Sequence, residues 1–310
     1  MNHGPWKALQ TEDGSWTLVE SGLGQACHAR EGAWTEARER YAGPTRLRER
    51  ALAADSPPCL RLLDVGTGLG WNIAAALEAL RGTGCALEVI TLERDRRVIE
   101  ACLELRAQGP LGAPQADAFQ RPVAEALAES LADLQTAEVR GVALPGGGRL
   151  HLWLGDGRET LANCAFPAAW PSPCSGFDAV FLDPFSPGVD PSLWEAGFLG
   201  QIAARMAPGS LLSTYSASAR VRARLMAAGL VVGLGPRVGA KAEGTLASPD
   251  LALPGLDPRR EARLARRASD EFEGVHGREG EPEMGAEQGS ARPAGGETAL
   301  GARACLHPRP

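Results

Sequence analysis

Short apolar runs alternate with amphipathic stretches through the middle of the chain. The apolar runs have the length and β-branched or leucine-rich content of buried strands: 60–65 (LRLLDV), 87–92 (LEVITL), 150–154, 179–182 and 211–215. The stretches with helical spacing are 71–80, 94–106, 193–206 and 219–228. Alternation of this kind predicts an α/β fold, with a doubly wound parallel sheet covered by helices on both faces.

Other segments depart from this alternation. Residues 11–19 surround an Asp-Gly turn and predict an N-terminal hairpin, with helix over 35–50 behind it. Residues 115–135 predict a helical insertion, and 139–154 a hairpin that leads into a core strand. From 257 onward charged residues, Gly and Pro dominate, which predicts at most a short helix at 259–268 in a disordered tail. We therefore divide the chain into an extension (1–50), a main domain (51–250) and a tail (251–310).

Charge and cysteine content narrow the classes of function. The 310-residue chain has a net charge of −6, which argues against a general nucleic-acid coat protein and leaves room for a local basic patch. Its seven cysteines form no C-x-x-C pair, and we predict no metal site. Because we find neither a signal peptide nor an apolar run of membrane-spanning length, we expect a cytoplasmic protein without a membrane partner.

A glycine-rich turn follows the first predicted core strand. Gly66, Gly68 and Gly70 would let the backbone turn sharply and approach a ligand at the sheet edge where doubly wound folds bind nucleotides. Asp64, two positions earlier, would repel a pyrophosphate but suits the amino group of a methionine moiety. Glu93 ends the next strand, where an acid can bind ribose hydroxyls. Together these residues favour S-adenosylmethionine over NAD as the cofactor.

A third acid, Asp156, follows the strand at 150–154. In this order along the sheet it would hydrogen-bond the adenine amino group of the cofactor. The alternative interpretation is that Asp156, between two glycines, caps the following turn or helix.

The strand at 179–182 leads into Asp183-Pro184-Phe185. This order is similar to the D/N-P-P-Y/F element of amino-group methyltransferases. Asp183 or the Pro184 carbonyl would orient the N–H groups of the acceptor, and Phe185 would cover its base. The alternative is that Asp183-Pro184 only ends a strand.

Longer motifs carry a more specific resemblance. Residues 181–194 (FLDPFSPGVDPSLW) resemble the signature of the methyltransferase family that completes 5-methylaminomethyl-uridine at the tRNA wobble position, with Asp190 where that family has Asn. Residues 66–72 (GTGLGWN) are similar to its glycine loop, which adds Asn72 to the cofactor-binding set. Residues 32–36, 214–217 and 235–248 are similar to further blocks of the family. The resemblance extends over about 11–248.

The resemblance implies a Rossmann-like class I methyltransferase that uses S-adenosylmethionine. The implied reaction is N-methylation of the 5-aminomethyl group on wobble uridine of tRNA, giving 5-methylaminomethyl-(2-thio)uridine. It implies that residues 1–50 serve the acceptor side and that Trp194, Tyr215 and Lys241 contact the substrate near the anticodon, although both aromatics could equally be core. Since only the tail follows Ser248, we expect a stand-alone relative of the methyltransferase half of the bifunctional enzyme. A separate FAD-dependent oxidase would act earlier in the pathway.

Two other functions stay open at this point. An aminopropyltransferase related to polyamine synthases shares this fold, but it usually has paired acids where this chain has only Asp183. A catalytically silent tRNA-binding module is the second alternative. Binding of S-adenosylmethionine, of its decarboxylated form or of neither would distinguish the three.

Overall fold

The computed structural model describes residues 5–133, 141–163, 176–239 and 243–276. In chain order the strands are β1 (Trp6–Gln10), β2 (Trp16–Glu20), β3 (Gln25–Ala26), β4 (Cys59–Val65), β5 (Ala86–Glu93), β6 (Val142–Ala143), β7 (Arg149–Leu154), β8 (Phe177–Leu182), β9 (Met206–Thr214), β10 (Val231–Leu234) and β11 (Thr245–Ser248). The α-helices are α1 (Ala33–Glu36), α2 (Leu47–Leu52), α3 (Trp71–Leu80), α4 (Arg96–Gln108), α5 (Pro114–Asp133), α6 (Gly157–Asn163), α7 (Ala196–Ala203), α8 (Ala219–Ala227) and α9 (Pro258–His276). A π-helix (Ala37–Ala42) follows α1, and a 3₁₀ turn (Ser192–Trp194) precedes α7.

The central sheet confirms the predicted α/β class. Its strand order, within the described residues, is β10-β11-β9-β8-β4-β5-β7-β6. The pairs from β9 through β8, β4 and β5 to β7 are parallel, whereas β6, β11 and β10 pair antiparallel at the two edges. The carboxyl ends of the parallel strands therefore meet at one edge of the sheet, which is where this class of fold binds ligands.

Alternate side chains of the central strands enter two separate cores. Leu62 and Phe181 pack with α3 and α5 on one face, while Leu63 and Leu182 pack with α7 and α8 on the other. All four are 0% exposed. A strand buried on both faces needs apolar residues at successive positions, which explains why these strands have continuous apolar runs in the sequence.

The N-terminal extension contains the predicted hairpin. β1 and β2 pair antiparallel around the turn at 11–15, and β3 adds a short third strand. The helix predicted over 35–50 is interrupted at 43–46, around Gly43 and Pro44, between the π-helix and α2. Tyr41 in the π-helix is 0% exposed, so the extension shares the main hydrophobic core.

The C-terminal helix is longer than the sequence predicts. The prediction of a disordered tail from 251 onward is therefore corrected for its first part, which contains α9. Leu264 and Ala268 of α9 are buried, as is Leu256 just before the helix, and they pack with Ala223 of α8. Such burial offsets the entropy of ordering this segment. Residues 277–310 lie outside the described residues.

Other predicted bounds also shift. The helix predicted over 193–206 is replaced by the 3₁₀ turn, α7 and the start of β9. Helix α6 and the short edge strands β10 and β11 were not predicted, and parts of the predictions at 115–135 and 139–144 lie outside the described residues. None of the described helices is both long and apolar enough to span a membrane.

Candidate active site

The glycine loop at 66–70 joins β4 to α3, as the sequence predicts. Gly66, Gly68 and Gly70 all have positive φ angles of 93°, 52° and 76°. A Cβ on Gly66 would lie 2.6 Å from the Asp183 carbonyl oxygen, and one on Gly70 would lie 2.6 Å from Val123. Only glycine therefore allows the loop to pass this close to Asp183-Pro184-Phe185, which we call the acceptor segment, on one side and to α5 on the other.

A cavity of about 490 Å³ opens beside this loop, at the carboxyl ends of the parallel strands. Its wall includes eight of the predicted site residues. On the cofactor side these are Gly66, Gly68, Glu93 and Asp156. On the acceptor side they are Asp183, Pro184, Phe185 and Tyr215.

Glu93 stands at the end of β5 and is held by two backbone donors. The N–H of Gly68 donates to Glu93 Oε2 at 3.3 Å, and the N–H of Asp95 donates to Oε1 at 2.9 Å. Burial raises the pKa of the Glu93 carboxyl above its ordinary value, although these hydrogen bonds oppose the shift. Each carboxylate oxygen retains a lone pair for a ligand hydroxyl.

Asp156 lies both in the cavity wall and at the start of α6. It lines the cavity, and it also accepts hydrogen bonds at the start of α6 from the Arg158 backbone N–H (2.9 Å) and the Arg158 guanidinium (2.6 Å). The Arg158 side chain holds the pKa of this carboxyl at about 2. Asp156 is thus ionised and oriented independently of any ligand.

Three residues predicted to bind the cofactor are not among the residues that line the cavity, and their cofactor contact stays a prediction. Asp64 is 0% exposed and accepts a hydrogen bond from Thr91 Oγ1 at 2.8 Å, while its Oδ1 has no partner among the described residues. Burial raises the pKa of Asp64 to about 7. Gly70 directly precedes α3 as its N-cap residue, and the amide of Asn72, also buried, donates to Asp183. These residues support the loop from beneath.

Two side chains hold the Asp183 carboxylate. Tyr41 Oη donates to Oδ1 at 2.5 Å, and Asn72 Nδ2 donates to Oδ2 at 3.0 Å. Burial, followed by the charge of Asp183, raises the pKa of the Tyr41 phenol well above its ordinary value, so the phenol remains a proton donor. The carboxylate therefore has a fixed orientation in the cavity wall.

The rest of the acceptor segment is fixed through its carbonyls and rings. Tyr215 Oη donates to the Pro184 carbonyl at 2.8 Å. The Phe185 ring stacks on Trp6 of β1, with centroids 6.1 Å apart and an angle of 22° between the planes. Trp194 is 0% exposed, and its indole N–H donates to the Phe185 carbonyl at 2.7 Å. Trp194 thus supports the loop from the core, which is the second of the two roles left open by the sequence, and its substrate contact stays a prediction.

Asp190, which replaces the family's Asn, makes a bridge across the cavity mouth. Its Oδ1 accepts from the Ser192 backbone and hydroxyl, and its Oδ2 pairs with Arg94 at 2.7 Å. Asp190 thus holds its own turn through Ser192, and its charge joins this segment to Arg94 at the end of β5. Lys241 lies outside the described residues, so its predicted role stays a prediction.

The resemblance implied that residues 1–50 serve the acceptor side, but most of the individual residues that the extension brings to this site were not predicted. Trp6, Gln25, Cys27 and Glu36 line the cavity, and Tyr41 binds Asp183. The resemblance at 32–36 includes Glu36, but no local pattern distinguishes the others from ordinary hairpin or helix residues. They reach the site through tertiary packing alone.

Charge in the cavity is strongly unbalanced. Its wall has seven carboxylates and two arginines; the acids are Glu20, Glu36, Glu93, Asp95, Asp156, Asp183 and Asp190. Such a wall attracts cations and repels phosphates. S-adenosylmethionine, with its sulfonium and ammonium groups, fits this donor set and the glycine loop, whereas the pyrophosphate of NAD does not.

Comparison with known proteins agrees with this geometry. Residues 118–250 match the family described as S-adenosyl-L-methionine-dependent methyltransferase. The chain is 31% identical over 237 residues to the tRNA 5-methylaminomethyl-2-thiouridine biosynthesis bifunctional protein MnmC of Aromatoleum aromaticum, covering 73% of this chain and 32% of that protein. An uncharacterized protein of Methanocaldococcus jannaschii is 26% identical over 239 residues, covering 77% of this chain and 58% of that protein.

A solved structure shares the whole architecture. The crystal structure of MNMC2 from Aquifex aeolicus superposes with a TM-score of 0.66 at 25% identity, covering 88% of this chain and 85% of that one. The chain spans about a third of the length of the bifunctional relative. It belongs to the S-adenosylmethionine-dependent methyltransferases and is related by sequence and fold to the methyltransferase part of the MnmC proteins.

Proposed function

We propose that this enzyme methylates the amino nitrogen of the 5-aminomethyl group on wobble uridine of tRNA, giving 5-methylaminomethyl-(2-thio)uridine. The observation that carries the proposal is the Asp183 carboxylate, fixed by Tyr41 and Asn72 in an acidic cavity beside the glycine loop. A primary amine enters such a cavity readily because it is cationic at neutral pH. The tRNA substrate is supported by the name of the bifunctional relative.

The residues divide the work between two sides of the cavity. Gly66, Gly68, Glu93 and Asp156 would hold the cofactor, with Asp64 beneath the loop. When bound, S-adenosylmethionine supplies an electrophilic methyl group. On the other side, Asp183 would accept the proton that the ammonium form must lose and then hold a remaining N–H, which directs the nitrogen lone pair.

The acceptor base would be held by the aromatic pair. The Phe185 ring, which stacks on Trp6, would stack on the uracil that is flipped out of the RNA. Enzymes commonly hold a flipped base by stacking it on aromatic side chains. Pro184 keeps one carbonyl lone pair free beside the hydrogen bond from Tyr215. We keep Lys241 and Tyr215 as proposed substrate contacts. Because the acceptor must arrive as a free amine, a separate FAD-dependent oxidase acting earlier remains the proposed source of substrate.

Nucleoside mass spectrometry tests the reaction directly. Incubation of aminomethyl-uridine tRNA with the enzyme and S-adenosylmethionine should add one methyl group to the wobble nucleoside. Asp183→Ala should lower single-turnover methylation about 10²-fold with cofactor affinity nearly unchanged, and Asp183→Asn should retain more activity because it keeps an oxygen acceptor.

Three results would contradict the proposal. Transfer of an aminopropyl group from decarboxylated S-adenosylmethionine would identify an aminopropyltransferase. Cofactor binding without methylation of any tRNA would exclude this substrate. Tight tRNA binding with neither transfer nor cofactor binding would indicate a silent RNA-binding module.

A further inference from the structure

Helix α9 lies beyond the segment that matches the family, and it has two different faces. One face packs on α8 through Leu264 and Ala268. On the opposite side of that contact the helix is rich in arginine: residues 259–267 contain five arginines and one glutamate. A cluster of like charges on one exposed helix face is a local basic patch in a chain whose net charge is −6.

Four of these arginines form a stripe. Arg259, Arg263, Arg266 and Arg267 are all exposed, and at about 100° per residue they fall within an arc of about 100°. We call these four residues the arginine stripe. From its first to its last member it is about 12 Å long, which is enough to contact several consecutive phosphates.

The stripe makes no ion pair within the described part of the chain. The ion pairs of α9 are made elsewhere on the helix: Arg260 pairs with Glu243 at 3.0 Å, and Glu271 pairs with Arg224 at 3.0 Å and Arg220 at 4.0 Å. These pairs fasten the helix to the domain. The stripe is then left on a fixed scaffold with its guanidinium groups exposed to solvent.

A short chain of contacts connects this helix to the active site. Arg224, which pairs with Glu271, also donates to the Trp194 carbonyl at 2.9 Å. Trp194 in turn donates to the carbonyl of Phe185 in the cavity wall. The last stripe residue is one helical turn from Glu271, so that end of the stripe is the one nearest to these contacts.

We propose that the arginine stripe binds the phosphate backbone of the tRNA stem next to the nucleotide that enters the cavity; this inference rests on the proposed function. Phosphates are repelled by the acidic cavity, so an RNA substrate needs cations outside it. Guanidinium groups suit this role because they bind phosphate oxygens in pairs. A membrane surface fits less well, because the exposed residues of α9 between 259 and 271 include no large apolar side chain.

A charge-matched pair of variants tests the stripe. Arg263→Gln/Arg267→Gln removes two charges from it. Arg48→Gln/Arg149→Gln removes two exposed charges from the other end of the sheet, where Arg149 begins β7 and Arg48 contacts the end of α3. For each we would measure tRNA affinity as a function of salt, with S-adenosylmethionine affinity as the check of folding.

Loss of two phosphate contacts should weaken tRNA binding about 5- to 30-fold at low salt. It should also reduce the slope of log affinity against log salt by about 1.4 to 1.8, since each contact contributes roughly 0.7 to 0.9. The control pair should keep the wild-type slope. A wild-type slope and affinity in the stripe variant would overturn the proposal.

The same experiment separates this proposal from the proposed function. If wild-type enzyme methylates tRNA while the stripe variant binds it normally, the stripe proposal alone fails. If tRNA binds in a stripe-dependent way but receives no methyl group, the stripe proposal stands and the proposed function fails. Binding to phosphatidylglycerol vesicles without tRNA binding, or no tRNA binding at all, would overturn the stripe proposal.

Discussion

The two tyrosines of this chain make a matched pair of perturbations at the acceptor segment. Tyr41 donates to the Asp183 carboxylate, and Tyr215 donates to the Pro184 carbonyl. Tyr41→Phe and Tyr215→Phe each delete one oxygen and leave a ring of the same shape. The two variants therefore compare a charge-assisted hydrogen bond with a neutral one on adjacent residues.

The expected magnitudes follow from the acceptors. A hydrogen bond to a charged group contributes about 1.5–3 kcal/mol, whereas a neutral one contributes about 0.5–1.5 kcal/mol. If the Tyr41 contact orients Asp183 in the transition state, Tyr41→Phe should lower kcat/KM about 10- to 150-fold. Tyr215→Phe should lower it about 2- to 10-fold. Asn72 still donates to Asp183 in both variants, so neither should abolish activity.

Single-turnover methylation of aminomethyl-uridine tRNA, with calorimetric titration of S-adenosylmethionine, measures both effects. Cofactor affinity should change less than about twofold in either variant, because both hydroxyls bind the acceptor segment. Equal, small losses in the two variants would show that orientation of Asp183 does not limit the rate. A parallel fall in cofactor affinity in Tyr41→Phe would show that the hydroxyl supports the whole cavity.

Three further predictions concern the cofactor side, pH and the C-terminal helix. Glu93→Ala should weaken S-adenosylmethionine binding about 10- to 100-fold in calorimetry, through loss of a charge-assisted contact; unchanged affinity would refute the assignment. Asp64 has a pKa raised to about 7, so its stabilising effect is complete below its unfolded pKa and is lost as pH rises toward 7. In urea unfolding, the free energy of unfolding of Asp64→Asn should fall less between about pH 5 and about pH 8 than that of the wild type, by about 2–4 kcal/mol. An unchanged pH dependence would contradict this prediction. Leu264→Ala should lower the free energy of unfolding by about 2–4 kcal/mol, and an unchanged midpoint would show that α9 does not stabilise the domain.

Local pattern was sufficient for the backbone elements on the cofactor side of the site. The strand, glycine loop and helix around 66–70 are consecutive in sequence, and helix α3 has the bounds predicted for it, 71–80. Glu93 and Asp183 were also found by position, because each directly follows an apolar run. In these segments the glycines that allow the turn, and the acids at the strand ends, are also the residues predicted to contact the cofactor or the acceptor.

Long-range packing explains what the sequence did not predict. Tyr41 is 142 residues from Asp183, and its hydroxyl cannot be assigned to a carboxylate without the fold. For Trp194 the sequence left substrate contact and burial open, because its residue type is equally suited to both; in the fold the indole is buried and donates to a carbonyl. The length of the C-terminal helix was underestimated because the composition of the whole tail is rich in glycine and charge. Leu264 and Ala268, four residues apart on one helix face, are buried only through tertiary contacts, among them those with α8.

The net charge does not show how charge is distributed over the described part of the chain. The chain has a formal charge of −6, but seven of its carboxylates line one cavity, while the exposed stripe of α9 carries four arginines. Acids in a recessed site attract a sulfonium and an amine, and cations on an outer helix attract phosphates. Because screening acts most strongly on exposed charges, added salt should weaken tRNA binding much more than cofactor binding. The position of each charge, and not the sum, therefore determines which partner each surface attracts.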